Sequence, residues 1–193
     1  FINEYAETAN LACQFFNEKY KRPLVSSVIS GCIDKAQLAD EGGAYFWHKC
    51  MNSSGLGTAI DSLVAIYDVV YDKKLKTMDE FVKILDNDFY GEEAFRLYLV
   101  NKLPKYGNGD PMVDGLAKDF VDFYCAAVSK CKTWNGTPYR PGLYSYYGPS
   151  VNYGIKTGST PDGRIQGEPL SLNTDPGHGC IRSGLTGAMK SVT

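Results

Sequence analysis

Histidine is scarce in this 193-residue chain: only His48 and His178 are present. Any Ser-His-Asp or Cys-His site would have to use one of them. His48 follows Phe46-Trp47 and His178 stands between two glycines, and neither lies beside a Gly-x-Ser-x-Gly elbow. The residues therefore argue against hydrolytic triad chemistry. An excess of one charge sign is also missing. Twenty basic residues against twenty-two acidic ones leave a net charge of −2, which excludes a strongly basic nucleic-acid footprint or a polybasic membrane arm. No apolar run approaches the roughly 18–20 residues of a membrane span, and no charged-then-apolar leader opens the sequence. No Gly-x-x-x-x-Gly-Lys-Ser/Thr is present, so there is no P-loop. Gly55-Leu56-Gly57 begins like a dinucleotide fingerprint but lacks the third glycine and the acidic residue after it. It reads better as a tight turn before a helix.

Six cysteines are present, at positions 13, 32, 50, 125, 131 and 180, with no Cys-x-x-Cys pair. That spacing does not support a zinc ribbon or a thioredoxin-type site. Buried or half-buried free thiols in a reducing cytoplasm are expected instead. The length fits one domain, two at most, at about 100–200 residues per domain.

What is present is mostly helical punctuation. Tyr5, Ala9, Ala12, Phe16 and Tyr20, with Leu11 and Phe15 beside them, recur at helical spacing and predict one buried face. After Pro23, Leu24–Ile33 is open to helix or strand. Ala44–Met51 reads as a short buried strand. A long helix is expected with Ile60, Leu63, Val64, Tyr67, Val70 and Tyr71 on one side. Thr77-Met78-Asp79-Glu80 is a capping box. Further helices run from about Glu92 to Leu103 and from Pro111 through Val128. Asp61, Asp68, Asp79, Glu80, Glu92 and Glu93 are expected to be solvated or capping carboxylates, not an acid–base pair. Residues 136–193 hold 11 of the 20 glycines and 6 of the 9 prolines, which predicts ordered loops without helix, joined by one or two strands, the best candidate being Gly142–Asn152. The order of elements fits an α/β fold.

Trp134, Tyr139, Tyr144, Tyr146, Tyr147 and Tyr153 crowd into 20 residues. Tyrosine combines a flat apolar face with a hydroxyl, which suits a pocket for a small polar substrate. Alternating tyrosines on a strand could equally be packing. On the residues alone, one reading is a stand-alone module binding a small polar ligand such as a sugar through these loops.

A second reading comes from Ser159-Thr160-Pro161-Asp162-Gly163-Arg164 followed by Gly167-Glu168-Pro169-Leu170. This stretch closely resembles a segment of the glycyl radical enzymes, the family of pyruvate formate-lyase, the glycerol and diol dehydratases and choline trimethylamine-lyase. Five more segments agree in the same order: Asp40–Tyr45, Asp61–Ile66, Pro104–Asn108 with Val113-Asp114, Arg140–Ser145 and Gly187–Val192. The resemblance implies part of a ten-stranded β/α barrel: an incomplete half-barrel with flanking helices and a Gly/Pro-rich loop region. Residues 1–193 would be the C-terminal part of a pyruvate formate-lyase-like barrel domain, with the glycyl radical domain absent. The parent would be a cytoplasmic enzyme of anaerobic metabolism, acyltransferase or, more in keeping with the segments, dehydratase or lyase. A thiyl radical would cleave a C–C, C–O or C–N bond of a small-molecule substrate.

The same resemblance implies the partners. The parent would need a glycyl radical installed by a radical-SAM [4Fe-4S] activase and would be a homodimer, without nucleic acid or membrane; this stretch itself would bind no cofactor or metal. Gly31-Cys32-Ile33-Asp34 mimics the radical-carrying Gly-Cys-Val-Glu loop but stands too close to Glu41-Gly42-Gly43-Ala44. Cys32 is therefore expected to be a core thiol, and no catalytic residue is expected here. The stretch alone would be inactive. Substrate contacts are expected from Tyr153 first, then Tyr147, Ser145 and Asn152, on the strand corresponding to Tyr144–Tyr153.

Overall fold

The computed structural model describes residues 1–144 and 147–192. The chain divides into two compact units. The first comprises Phe1–Met51 and Asp122–Gly142; the second comprises Asn52–Val121 and the described residues from Leu143 on.

In the first unit, α1 (Ile2–Lys19) and the short α2 (Pro23–Ser27), with proline at its first position, lead into turns. The expected helix over positions 5–20 is present, but its expected burial is not. Ala6 is its only buried residue, while Tyr5, Leu11, Phe15, Phe16 and Tyr20 are exposed. Periodicity identifies an apolar face; it does not supply the surface that covers it. Asn10 ties α1 to the 131–139 segment. Its Nδ2 donates to the Lys132 carbonyl at 2.8 Å, and its Oδ1 accepts from Trp134 N–H at 3.1 Å and Tyr139 O–H at 2.9 Å. Tyr139 is buried, because its hydroxyl finds this acceptor. The strand expected over Ala44–Met51 is shorter and later: β1 is Cys50–Asn52, and it pairs with β2 (Arg140–Gly142) in a two-stranded sheet. The buried Tyr124 hydroxyl donates to the Met51 carbonyl at 2.6 Å. Cys32 is buried in this unit, as expected of a core thiol. Among the described residues the six cysteines form no disulfide, but Cys50 is exposed, against expectation, because the strand that carries it alternates and turns Met51 inward.

The second unit is built on α3 (Leu56–Ile66), α4 (Met78–Asp86), α5 (Glu93–Lys102) and the first half of α6 (Pro111–Lys130). One core cluster joins Leu56, Ile60, Val64, Tyr106, Val113 and Ala117; another joins Ala65, Val69, Phe81, Phe89, Leu99 and Leu103. Fully burying such side chains contributes about 1.5–3 kcal/mol each before entropy is subtracted. After Ile66 the helix widens into a π-turn over Tyr67–Asp72, which rotates the following side chains. Val69 is buried, and Leu63, Tyr67 and Tyr71, expected inward, are exposed, so that side is open before the π-turn as well as within it.

The capping box is complete. Thr77 N–H donates to Glu80 Oε2 at 2.7 Å, and Glu80 N–H donates to Thr77 Oγ1 at 3.2 Å. The Thr77 amide holds the Glu80 carboxyl below its ordinary range. Thr77→Ala is expected to cost about 1 kcal/mol of stability, read as a fall in the urea midpoint at unchanged m-value.

The last third corrects the sequence reading most. Gly142–Asn152 is not a strand: β2 ends at Gly142, and Tyr147–Lys156 is a helix, α7. A second helix, α8, spans Gly184–Val192. The breakers lie inside the helices: Pro149 stands in the first turn of α7, where its missing amide hydrogen costs nothing, and Gly154 and Gly187 are helical residues on buried faces. The buried face of α7 carries Ser150 and Gly154, one helical turn apart. Leu170 N–H donates to the Ser150 carbonyl at 3.2 Å, and the Ser150 hydroxyl donates to the Leu170 carbonyl. Among the described residues no helix is long and apolar enough to cross a membrane.

Candidate functional site

The turn Pro104-Lys105-Tyr106-Gly107-Asn108 joins α5 to α6 and is the junction of the second unit. Lys105 is 3% exposed, and its Nζ donates to the Asp162 carbonyl at 2.8 Å. Tyr106 N–H donates to Asp61 Oδ1 at 2.7 Å. Asn108 Nδ2 donates to the Lys105 and Cys180 carbonyls, each at 3.0 Å; its Oδ1 accepts from Arg182 N–H at 2.6 Å and Ser183 N–H at 3.0 Å. One five-residue turn thus fastens α3, the 159–168 loop and the 172–183 loop.

Asp61 overturns the expectation of a solvated carboxylate. It lies on the inner face of α3 and has no exposed surface. Burial pushes its carboxyl up to about 7; Lys105 and the Tyr106 amide pull the other way, and Asp162 adds to the rise. The Cys180 thiol, beside it, also favours the ionised acid; among the described residues Oδ2 has no hydrogen-bond partner. A methyl group on Gly177 would lie 3.0 Å from Cys180 Sγ and 3.7 Å from Asp61 Oδ2, so the thiol and the acid border the same glycine. Burial, then Asp61, raises the Cys180 thiol to about 11, which keeps it protonated at neutral pH. Asp68, also expected to be solvated, is structural: it pairs with Lys73 at 2.5 Å and accepts from the Tyr98 hydroxyl at 2.6 Å.

The 159–168 loop is organised by the buried Arg164. Its Nε donates to Thr160 Oγ1 at 3.1 Å; Nη1 donates to the carbonyls of Glu168 at 2.7 Å, Ile165 at 3.0 Å and Gly154 at 3.4 Å; and Nη2 donates to those of Thr157 at 3.1 Å and Gly158. Burial pulls this guanidinium below its ordinary value. Its fork serves the loop's own backbone. A cleft of about 260 Å³ opens beside it, with Thr58, Lys105, Arg164, Gly177, His178 and Cys180 among its walls. Among the described residues no group of three His, Cys, Asp or Glu could hold a metal ion.

The sequence-predicted residues lie elsewhere in this unit. Tyr147, Asn152 and Tyr153 are on the exposed side of α7, the two tyrosines 63% and 54% exposed, and do not line the cleft. Ser145 lies outside the described residues. Asp61 and Cys180 were missed. The signal for Asp61 was a single acid inside the apolar run Ile60–Ile66; for Cys180 the local sequence carries none.

A helix-and-loop assembly of this form recurs in solved radical enzymes. The structure aligns with that of the Roseburia inulinivorans protein of 1,2-propanediol dehydration at a TM-score of 0.91 and 30% identity, over 99% of this chain and 25% of that one. It aligns with hydroxyproline dehydratase from Clostridioides difficile, solved with trans-4-hydroxy-L-proline bound, at 0.88 and 32%, over 96% and 23%. In sequence it is 35% identical over 179 residues to (2S)-3-sulfopropanediol dehydratase of Klebsiella oxytoca, covering 92% of this chain and 22% of that protein. The pyruvate formate lyase-like family model matches residues 1–153, and the chain belongs to that family. It spans roughly a fifth to a quarter of the length of these relatives.

Proposed function

We propose that this chain is a section of a glycyl radical enzyme of the dehydratase and lyase branch, contributing part of the wall of a β/α barrel. The observation that carries the reading is the interlock of two motif segments that matched the family separately. Lys105 of the Pro-Lys-Tyr-Gly-Asn turn holds the carbonyl of Asp162 in the Thr-Pro-Asp-Gly-Arg loop, 57 residues on. In this reading the glycyl radical and the thiyl cysteine lie outside the 193 residues, and a radical-SAM activase installs the radical in the whole, dimeric, cytoplasmic protein. The substrate is a small hydroxylated molecule, in keeping with the names of the relatives. A closed barrel excludes water and holds such a substrate against the thiyl group.

The whole protein, activated anaerobically with a radical-SAM activase, is expected to show an organic radical by electron paramagnetic resonance. It is also expected to dehydrate at least one of glycerol, propane-1,2-diol and trans-4-hydroxy-L-proline. A radical-free protein with no product from any of them would overturn the reading.

Tyr153, Tyr147, Ser145 and Asn152 remain the proposed substrate contacts. An exposed hydroxyl on α7 is available to a substrate brought by the rest of the barrel. Tyr153→Phe is expected to raise KM roughly fivefold, the worth of one neutral hydrogen bond of about 1 kcal/mol, with the fold unchanged. An unchanged KM would assign Tyr153 to packing.

A further inference from the structure

The 172–183 loop lies over a buried acid. Asp61 has no exposed surface, its Oδ1 is held by the Tyr106 amide, and its Oδ2 has no hydrogen-bond partner among the described residues. The loop closes tightly here: a methyl group on Gly107 would fall 2.0 Å from Pro176 Cγ, and one on Gly177 would fall 3.7 Å from Asp61 Oδ2 and 3.0 Å from the Cys180 thiol. The same loop carries Gly177, His178 and Cys180 into the cleft wall, so the cleft is complete only while the loop is down.

We infer that Asp61 is a proton-dependent latch: its neutral carboxyl tolerates the dry site under the closed 172–183 loop, and loss of the proton favours an open loop in which the carboxylate is hydrated. The groups that face it are Lys105 on the 104–108 turn, Asp162 on the 159–168 loop and Cys180 on the closing loop. His178 and Arg164 line the adjoining cleft. Lys105 favours ionisation by its charge, but its Nζ is engaged by the Asp162 carbonyl, and among the described residues no ion pair with Asp61 forms within 4.0 Å. A buried carboxyl without a paired cation keeps its proton, and burial raises this one to about 7.

The sign follows from linkage. In the open loop the acid returns to an ordinary value near 4, so opening releases a proton throughout the interval from about 4 to about 7. Raising the pH across that interval favours opening by up to about tenfold per unit; above it the dependence levels off. The latch is thus most secure in mild acid.

The test is hydrogen–deuterium exchange of the 172–183 amides in the intact protein, corrected for intrinsic exchange, between pH 5 and pH 8.5. The opening constant is expected to rise roughly fiftyfold from pH 5 to pH 7 and to change little beyond pH 7.5. In Asp61→Asn, an isostere of the neutral acid, the loop is expected to stay protected and the profile to be flat. His178→Asn is expected to keep the wild-type profile. A flat wild-type profile overturns the latch whether or not the asparagine variant folds. So does a dependence that survives Asp61→Asn or disappears in His178→Asn. Because exchange is read without turnover, an inactive enzyme leaves this test intact.

Discussion

Arg164→Met is expected to lower stability by about 3–5 kcal/mol, the cost of leaving several buried carbonyls without a donor. The guanidinium satisfies the Thr160 hydroxyl and the carbonyls of Gly154, Thr157, Gly158, Ile165 and Glu168. A methionine fills most of the volume and donates nothing. Each buried acceptor left unpaired costs about 1–3 kcal/mol unless water reaches it. The loop is expected to loosen rather than collapse uniformly, because Lys105 and Arg96 still hold the Asp162 and Gly163 carbonyls. Arg164→Lys is expected to recover little, since three donors on a point charge cannot span acceptors on both sides of the loop. Urea unfolding of the intact protein, with exchange read over 154–168, checks both variants. A loss below about 1 kcal/mol for Arg164→Met would show that the loop is held by other means.

Gly107→Ala is the second large effect. Gly107 sits at φ +89°, where a side chain is strained, and its Cβ would fall 2.0 Å from Cγ of Pro176. The backbone strain costs on the order of 1–3 kcal/mol, and displacing the proline ring adds an overpacking cost of similar size. The expected loss is about 2–5 kcal/mol, with the 172–183 loop freed first. Pro176→Gly in the same chain separates the two causes: the collision disappears and the φ strain stays. Partial recovery in the double variant is expected, and no recovery would place the whole cost in the turn. Because the residues touch, their effects should be strongly non-additive.

Much of the helical framework was legible in the sequence because its determinants are local. The Thr77/Glu80 box and Pro111 at the start of α6 each act within a few residues, and each appears where expected. The family resemblance was legible too, because six motif segments keep their order. The failures share a cause. Leu63, Tyr67 and Tyr71 lie on an exposed face, and the glycine- and proline-rich end forms α7 and α8 where loops and a strand were expected. Spacing shows which residues are apolar but not what covers them, and composition cannot report that a helix takes proline in its first turn and glycine against a neighbour's backbone.

The sequence by itself determined the main helical segments up to Lys130, the apolar residues they carry, and the family to which the chain belongs. Tertiary structure alone decided that Asp61 is a buried acid, its carboxyl raised by the loss of water, rather than a surface carboxylate. Nothing near position 61 announces that Gly177 and Cys180, more than a hundred residues later, will cover it, and the charge state of a carboxyl is set by what replaces its water.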